Sequence, residues 1–203
     1  MVCIIDYGVG NLYSLKSSFE KIGAEIVVTN QKEVIESSDK IILPGVGAFE
    51  DAAKKLEESG LKDILVVEKE KGKPILGICL GMQLLFDKSY EYGEHKGLGF
   101  IKGEIRPIAD VIPDGLKIPH IGWNALKFNT DSRLFKYIKD GDYVYFVHSY
   151  YASGCNNVIA FSDYGAPLTA AVEKDNVFGC QFHPEKSGNV GLNILRAFCE
   201  LEV

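Results

Sequence analysis

No stretch of the 203 residues approaches the ~18 uninterrupted apolar positions that a membrane-crossing helix needs, so no transmembrane helix is expected. There is no basic surplus either. Twenty-two Lys and Arg stand against 28 Asp and Glu, a formal net charge of −6, the reverse of the electrostatic footprint of a nucleic-acid binder. The opening MVCIIDYG has no basic lead-in and reaches an aspartate at position 6. It reads as a buried first strand rather than a secretion signal. The five cysteines are odd in number and never form C-x-x-C, which fits reduced thiols in a cytoplasmic setting. Cys180-x-x-His183 is the nearest approach to a metal pair, and no further Cys or His completes a tetrahedral set beside it. Internal repeats, low-complexity segments and a linker-like shift in composition are also absent, so one domain over residues 1–203 is expected.

What is present is an ordinary globular composition, 46% hydrophobic and 25% charged. A chain of this length buries about 70% of its unfolded surface. VCIID is an apolar run closed by the turn signal YGVGN. Leu12, Leu15, Phe19 and Ile22 then recur at helical spacing, and Gly23 stops the helix. EIVVT and KIIL read as strands, residues 48–71 as helix broken near Gly60, PILGIC as a buried strand and LGMQLLFD as a helix. Strands alternating with helices predict a parallel sheet covered on both faces. Beyond about Gly93 the character changes: GEIRPI, NALKF, YVYFVHSYYA, VIAFSDY, LTAAVEK and VFGCQFH are strand-like, and EKDN marks a hairpin. A helical face of Val190, Ile194, Leu195, Phe198 and Leu201 closes the chain. The fold class is therefore α/β: a mostly parallel central sheet, with an added antiparallel portion in the second half.

One thiol stands apart. Gly77-Ile78-Cys79-Leu80-Gly81 joins an apolar strand to an apolar helix, the layout of a nucleophile elbow, in which glycines flank the exposed side chain because a β-carbon would clash. At a helix start the thiolate form is favoured, and the Leu80 N–H points at the same spot, where it can hold an oxyanion. The alternative is a buried structural cysteine. A nucleophilic thiol needs a base, and His183 in GCQFHPEKS is the candidate. In extended chain, residues i and i+2 project to one side, so Glu185 can reach the imidazole and fix its tautomer. Cys180 alternates with His183 and reads as core, as do Cys3 and Cys199, while Cys155 reads as a loop residue. In LPGVGAF, Gly45 and Gly47 flank Val46, making an adjustable backbone donor or a plain turn.

PGVG, GICLGMQLLF and FHPEKS together resemble the class I, triad-type glutamine amidotransferases over essentially the whole chain. The resemblance implies a flavodoxin-like amidotransferase fold, with Cys79, His183 and Glu185 as catalytic triad and Val46 and Leu80 as oxyanion donors. It implies that Gln83 and Glu91 hold the substrate glutamine through side chains, and Gly47, Ser149 and Tyr150 through the backbone. IPHIGWN, YFVHSYY and GCQFHPEKSG resemble those family members that pass ammonia to a (β/α)8-barrel cyclase. On that likeness Trp123, Tyr145 and Lys186 face the partner where ammonia crosses. The bland alternatives are a core tryptophan, a strand aromatic, a surface charge and, for Glu91, a solvated helix end. No step of the implied chemistry requires a metal or an organic cofactor.

Overall fold

The computed structural model describes residues 1–202. Four short runs, Val2–Ile5 (β1), Ile26–Thr29 (β2), Lys40–Leu43 (β3) and Ile75–Ile78 (β4), pair in parallel, and Val177–Cys180 (β14) joins them beside β4. Their order, β2-β1-β3-β4-β14, is the doubly wound order of flavodoxin-like folds. Strands β1, β3, β4 and β14 are buried throughout, because helices cover both faces. Leu12–Lys21 (α1) and Gly188–Cys199 (α6) pack Leu15, Phe19, Ile194, Leu195 and Phe198 with Ile4, Ile42 and Phe178 on one face. Lys32–Ser37 (α2), Phe49–Glu58 (α3) and Leu61–Glu70 (α4) pack Ile35, Phe49, Leu56, Leu61 and Leu65 with Ile5, Ile41 and Leu43 on the other. Alternate residues of the same strands supply the two cores, as the period of two requires.

Antiparallel strands extend the sheet past β14. Pro167–Lys174 (β13) pairs with β14 through the two-residue hairpin at Asp175 and Asn176, and Val158–Asp163 (β12) and Lys127–Phe128 (β9) follow. A second sheet holds Tyr150–Ser153 (β11), Ile101–Pro107 (β7), Phe86–Ser89 (β5) and His95–Lys96 (β6). A two-stranded ribbon pairs His120–Ala125 (β8) with Tyr143–His148 (β10).

Four boundaries differ from the sequence reading. The helix after the elbow, α5, spans only Leu80–Leu84. The carbonyls of Leu84, Leu85 and Phe86 accept from Leu98, from Phe100 and Ile101, and from Gly99, so the chain leaves the helix to pair as β5. YVYFVHSYYA is two strands in two sheets, divided at Ser149, whose carbonyl accepts from the Ile108 N–H. NALKF divides at Leu126 between the ribbon and the main sheet. VFGCQFH stops as a strand at Cys180, and α2 and β6 carried no clear periodic signal in the sequence.

At the amino end of β4 the buried Glu68 carboxylate lies 2.6 Å from each of Lys71 Nζ and Lys73 Nζ. Lys73, itself buried, also donates to the carbonyls of Ile35 and Glu36 at 2.8 and 2.9 Å. Burial works against the charge on Glu68, but the two ammonium groups outweigh it and hold the carboxyl below its ordinary value. Removing one partner of such a cluster strands a buried charge, so Lys73→Ala should cost about 3–5 kcal/mol of unfolding free energy in urea melts. A carboxyl depressed in the folded state contributes stability above its unfolded value near 4.5 and loses it as pH falls through the lower folded value. Glu68→Gln should therefore be less stable than the parent at pH 7, and the gap should close in melts taken at progressively lower pH below 4.5.

Candidate active site

Strand β4 runs straight into the turn at Cys79. Its backbone sits at φ 56 and ψ −112, a conformation that a side-chain-bearing residue adopts only under strain. The flanking glycines have a steric cause. A β-carbon on Gly81 would overlap the carbonyl of Leu43 at the end of β3, and one on Gly77 would lie 2.6 Å from the Gly81 oxygen. The turn is tied to the neighbouring strand by the Cys79 N–H, which donates to the Cys180 carbonyl at 2.7 Å. The thiol is left at the edge of a cavity of about 290 Å³, 8% exposed.

His183 is buried beside it. The ring's Nδ1–H donates to Glu185 Oε1 at 2.8 Å, which turns Nε2 toward the thiol. Burial disfavours a charged His183, yet hydrogen bonding to Cys79 and Glu185, with their charges, outweighs it and raises its pKa to about 10. The contact with Glu185 exists, but not through extended chain: Pro184–Lys186 is a 3-10 turn. The turn folds the carboxylate back under the ring. Ser187 fixes the backbone of the same loop, donating from Oγ to the His183 carbonyl at 2.6 Å and accepting from the Tyr145 N–H at 3.0 Å. Cys180 points away into the core, fully buried, where burial first and then the Glu185 charge push its thiol well above the ordinary range. Cys3 is buried in the core and Cys155 lies in a loop, while Cys199 is half-buried in α6.

Val46, Gly47, Cys79, Leu80, Gln83, Glu91, Ser149, Tyr150 and His183, singled out in the sequence, all line this one cavity, with Glu185 behind His183. Pro119, Val147 and His148 complete its wall. The two glycines beside Val46 differ in their reasons. Gly47 has φ +89 with open space around it, whereas a β-carbon on Gly45 would meet the Gly81 nitrogen at 2.6 Å. Gly45 is thus set by close approach to the elbow and only Gly47 by backbone freedom. Glu91 is no solvated helix end: its Oε2 accepts from the Phe49 N–H at 2.6 Å, at the start of α3, and burial raises its pKa against that bond. Trp123, Tyr145 and Lys186 lie outside the cavity wall but together. The two rings meet edge-on at 6.1 Å, and Lys186 Nζ stands 5.9 Å from the Tyr145 ring. Trp123 is 52% exposed, so it is not core.

Sequence reasoning passed over two buried groups, one in the cavity wall and one behind it. His148 stands in the quoted YFVHSYY. Its Nδ1–H donates to the Tyr150 carbonyl at 2.8 Å while Nε2 faces His120 Nδ1 at 3.0 Å, and burial pushes it down to about 4. Gln181, between the core Cys180 and Phe182, faces the elbow. Its place two residues before His183, in a run whose sequence reads as strand, was the signal available.

The architecture is shared with solved structures of low identity. A structure described as "Crystal structure of glutamine amidotransferase" matches with a TM-score of 0.77 at 21% identity, covering 98% of both chains. The structure of PurLQS from Thermotoga maritima matches at 0.71, also 21% identical, covering 97% of this chain and 96% of that one. These establish the fold. Residues 3–200 match the family Glutamine amidotransferase class-I, and the chain belongs to that family. Relatives named imidazole glycerol phosphate synthase subunit HisH are similar over nearly the whole length. The protein of Caldanaerobacter subterraneus subsp. tengcongensis is 49% identical over 203 residues, covering 99% of this chain and 98% of the relative. That of Aquifex aeolicus is 50% identical over 198 residues, covering 96% and 94%.

The strained turn yields a stability prediction. Releasing a residue held in a rare backbone region returns ~1–3 kcal/mol, and the greater chain entropy of glycine takes back ~0.5–1. Cys79→Gly should therefore unfold at a free energy about 1 kcal/mol higher than Cys79→Ala in parallel urea melts. Equal midpoints would mean that the strain stored at the elbow is no larger than the ~0.5–1 kcal/mol that glycine's chain entropy takes back.

Proposed function

We propose that this chain is the glutaminase subunit of an imidazole glycerol phosphate synthase, acting as a single amidotransferase domain over residues 1–203. In this reading it releases ammonia from glutamine and passes it to a (β/α)8-barrel cyclase subunit. That partner makes imidazole glycerol phosphate and aminoimidazole carboxamide ribotide in histidine biosynthesis. The observation that carries the reading is the thiol of Cys79, strained outward at the cavity edge against a buried His183–Glu185 pair. The near-full-length likeness to relatives bearing that subunit name supports the choice of acceptor. Among the described residues no helix is long and apolar enough to cross a membrane and the five thiols are free, which supports a cytoplasmic setting.

The chemistry follows from the positions. The Cys79 thiolate attacks the side-chain carbonyl carbon of glutamine, and the charge that develops on oxygen is held by the N–H groups of Leu80 and the Val46 region. With its raised pKa, His183 is protonated at neutral pH and gives that proton to the departing ammonia as the C–N bond breaks, leaving a thioester. Water then gives a proton to His183 and attacks the thioester, and glutamate leaves as Cys79 is regenerated. Glu185 keeps Nδ1 protonated and balances the imidazolium throughout. Gln83 and Glu91, with the backbone of Gly47, Ser149 and Tyr150, hold the glutamine. Trp123, Tyr145 and Lys186 form the outward cluster that meets the barrel and lets ammonia across.

Co-expression with the barrel subunit tests the assignment: the two should co-purify and convert glutamine-derived nitrogen into imidazole glycerol phosphate. In that complex Cys79→Ala should abolish glutamine-dependent synthesis and leave synthesis from ammonium salts intact, because the barrel performs that step. Cys180→Ala should retain glutaminase activity.

His183 moves protons and Glu185 only orients and balances it. His183→Ala should thus lower kcat by at least ~100-fold, with a markedly smaller loss for Glu185→Gln. Equal losses in two variants of native circular dichroism would contradict this division of roles.

A further inference from the structure

Gln181 has no exposed surface. Its backbone N–H donates to the Ala170 carbonyl at 2.8 Å, holding the residue beside the elbow just past the end of β14. A buried amide is costly unless both its ends are bonded, and the two ends here meet different groups. Oε1 accepts from Gln83 Nε2 at 3.0 Å, and Nε2 lies 3.9 Å from Cys79 Sγ, within hydrogen-bonding reach of sulfur. The orientation follows from the neighbours. Gln83 Nε2 also donates to the Tyr150 carbonyl at 3.4 Å, and a carbonyl can only accept, so Gln83 presents its NH2 group on this side. Gln181 must then offer oxygen to Gln83 and nitrogen to the sulfur. Reversal would set two NH2 groups against each other and an oxygen against the thiolate.

We propose that Gln181 is a further catalytic residue, whose side-chain N–H donates to the Cys79 thiolate and is aimed there by Gln83. The proposal rests on Cys79 being the nucleophile. A hydrogen bond to an ionised acceptor is about twice as strong as one to a neutral acceptor, so the donor favours thiolate over thiol and over the thioester, whose sulfur carries no charge. Its effect falls on two steps. Before attack it raises the fraction of sulfur that is ionised. In deacylation the water oxygen bonds to the acyl carbon, its proton passes to His183, and the C–S bond breaks with the electron pair leaving on sulfur. The Gln181 N–H meets that charge as it forms. If the amide merely filled space between β14 and α5, the reactivity of the thiol would not depend on it.

Gln181→Met keeps the length and removes the donor. On the full chain, iodoacetamide alkylation of Cys79, followed across pH by mass spectrometry of its peptide, should show a midpoint raised by about one unit. At a fixed pH below the midpoint, alkylation should be about tenfold slower. In the complex with the barrel subunit, kcat for glutamine should fall about tenfold with a smaller change in KM. A second measurement needs no Gln181 variant: the side-chain amide protons of Gln181, followed by NMR, should shift as Cys79 ionises and stay fixed in Cys79→Ser. An unchanged midpoint in a Gln181→Met protein of parental melting temperature, or amide protons indifferent to Cys79 ionisation, overturns the proposal. Persistent glutaminase activity in Cys79→Ala would instead overturn the nucleophile reading. The alkylation midpoint would still report on the Gln181 contact.

Discussion

The structure depends on how closely the ends of β3 and β4 approach one another. The Leu43 carbonyl occupies the space where Gly81 would carry a side chain, and Gly77 and Gly45 crowd the same turn from below and beside. Only hydrogen atoms fit at these three places. That contact brings Val46, Gly47 and Leu80 to the wall of the one cavity that the Cys79 thiol borders. A β-carbon at any of the three would part the strand ends by an atomic radius, and the floor of the cavity would part with them.

The same strand carries two buried charged clusters of opposite temper. At its amino end Glu68 is held between two ammonium groups, and the result is a clamp joining α4, α2 and the start of β4. At its carboxyl end, across the turn, one imidazole lies between a thiol and a carboxylate. Burial resists charge in both places, and neighbouring groups override it in both. The first cluster has cations in excess. The second lies where the strands end and a ligand can enter.

Much of this was legible in the chain. The buried runs of β1, β3 and β4 and the spacing of α1 were clear because every residue of those strands is covered and α1 shows one apolar face. The elbow, His183 and Glu185 were legible because turn sterics and a short loop place them locally. The failures share a cause: the deciding contacts are remote in sequence. LGMQLLFD carries a helical pattern, yet residues 98–101 claim its carbonyls. YVYFVHSYYA alternates without interruption, and only the Ile108 N–H bonded to Ser149 reveals that it changes sheets. Gly45 looked like a hinge because the elbow that crowds it lies some thirty residues on. Gln181 looked like a sheet residue because its partners, Gln83 and Cys79, are a hundred residues away.

The anchoring of His183 has a consequence for how such a protein can change. Its N–H donates to the Tyr145 carbonyl at 2.9 Å, and the Tyr145 N–H returns to the loop through Ser187. Both bonds use only the main chain of residue 145, while its ring turns outward to Trp123 and Lys186. One residue thus serves two masters through different atoms. Substitution at 145 can rewrite the outward surface and leave the imidazole registered as before.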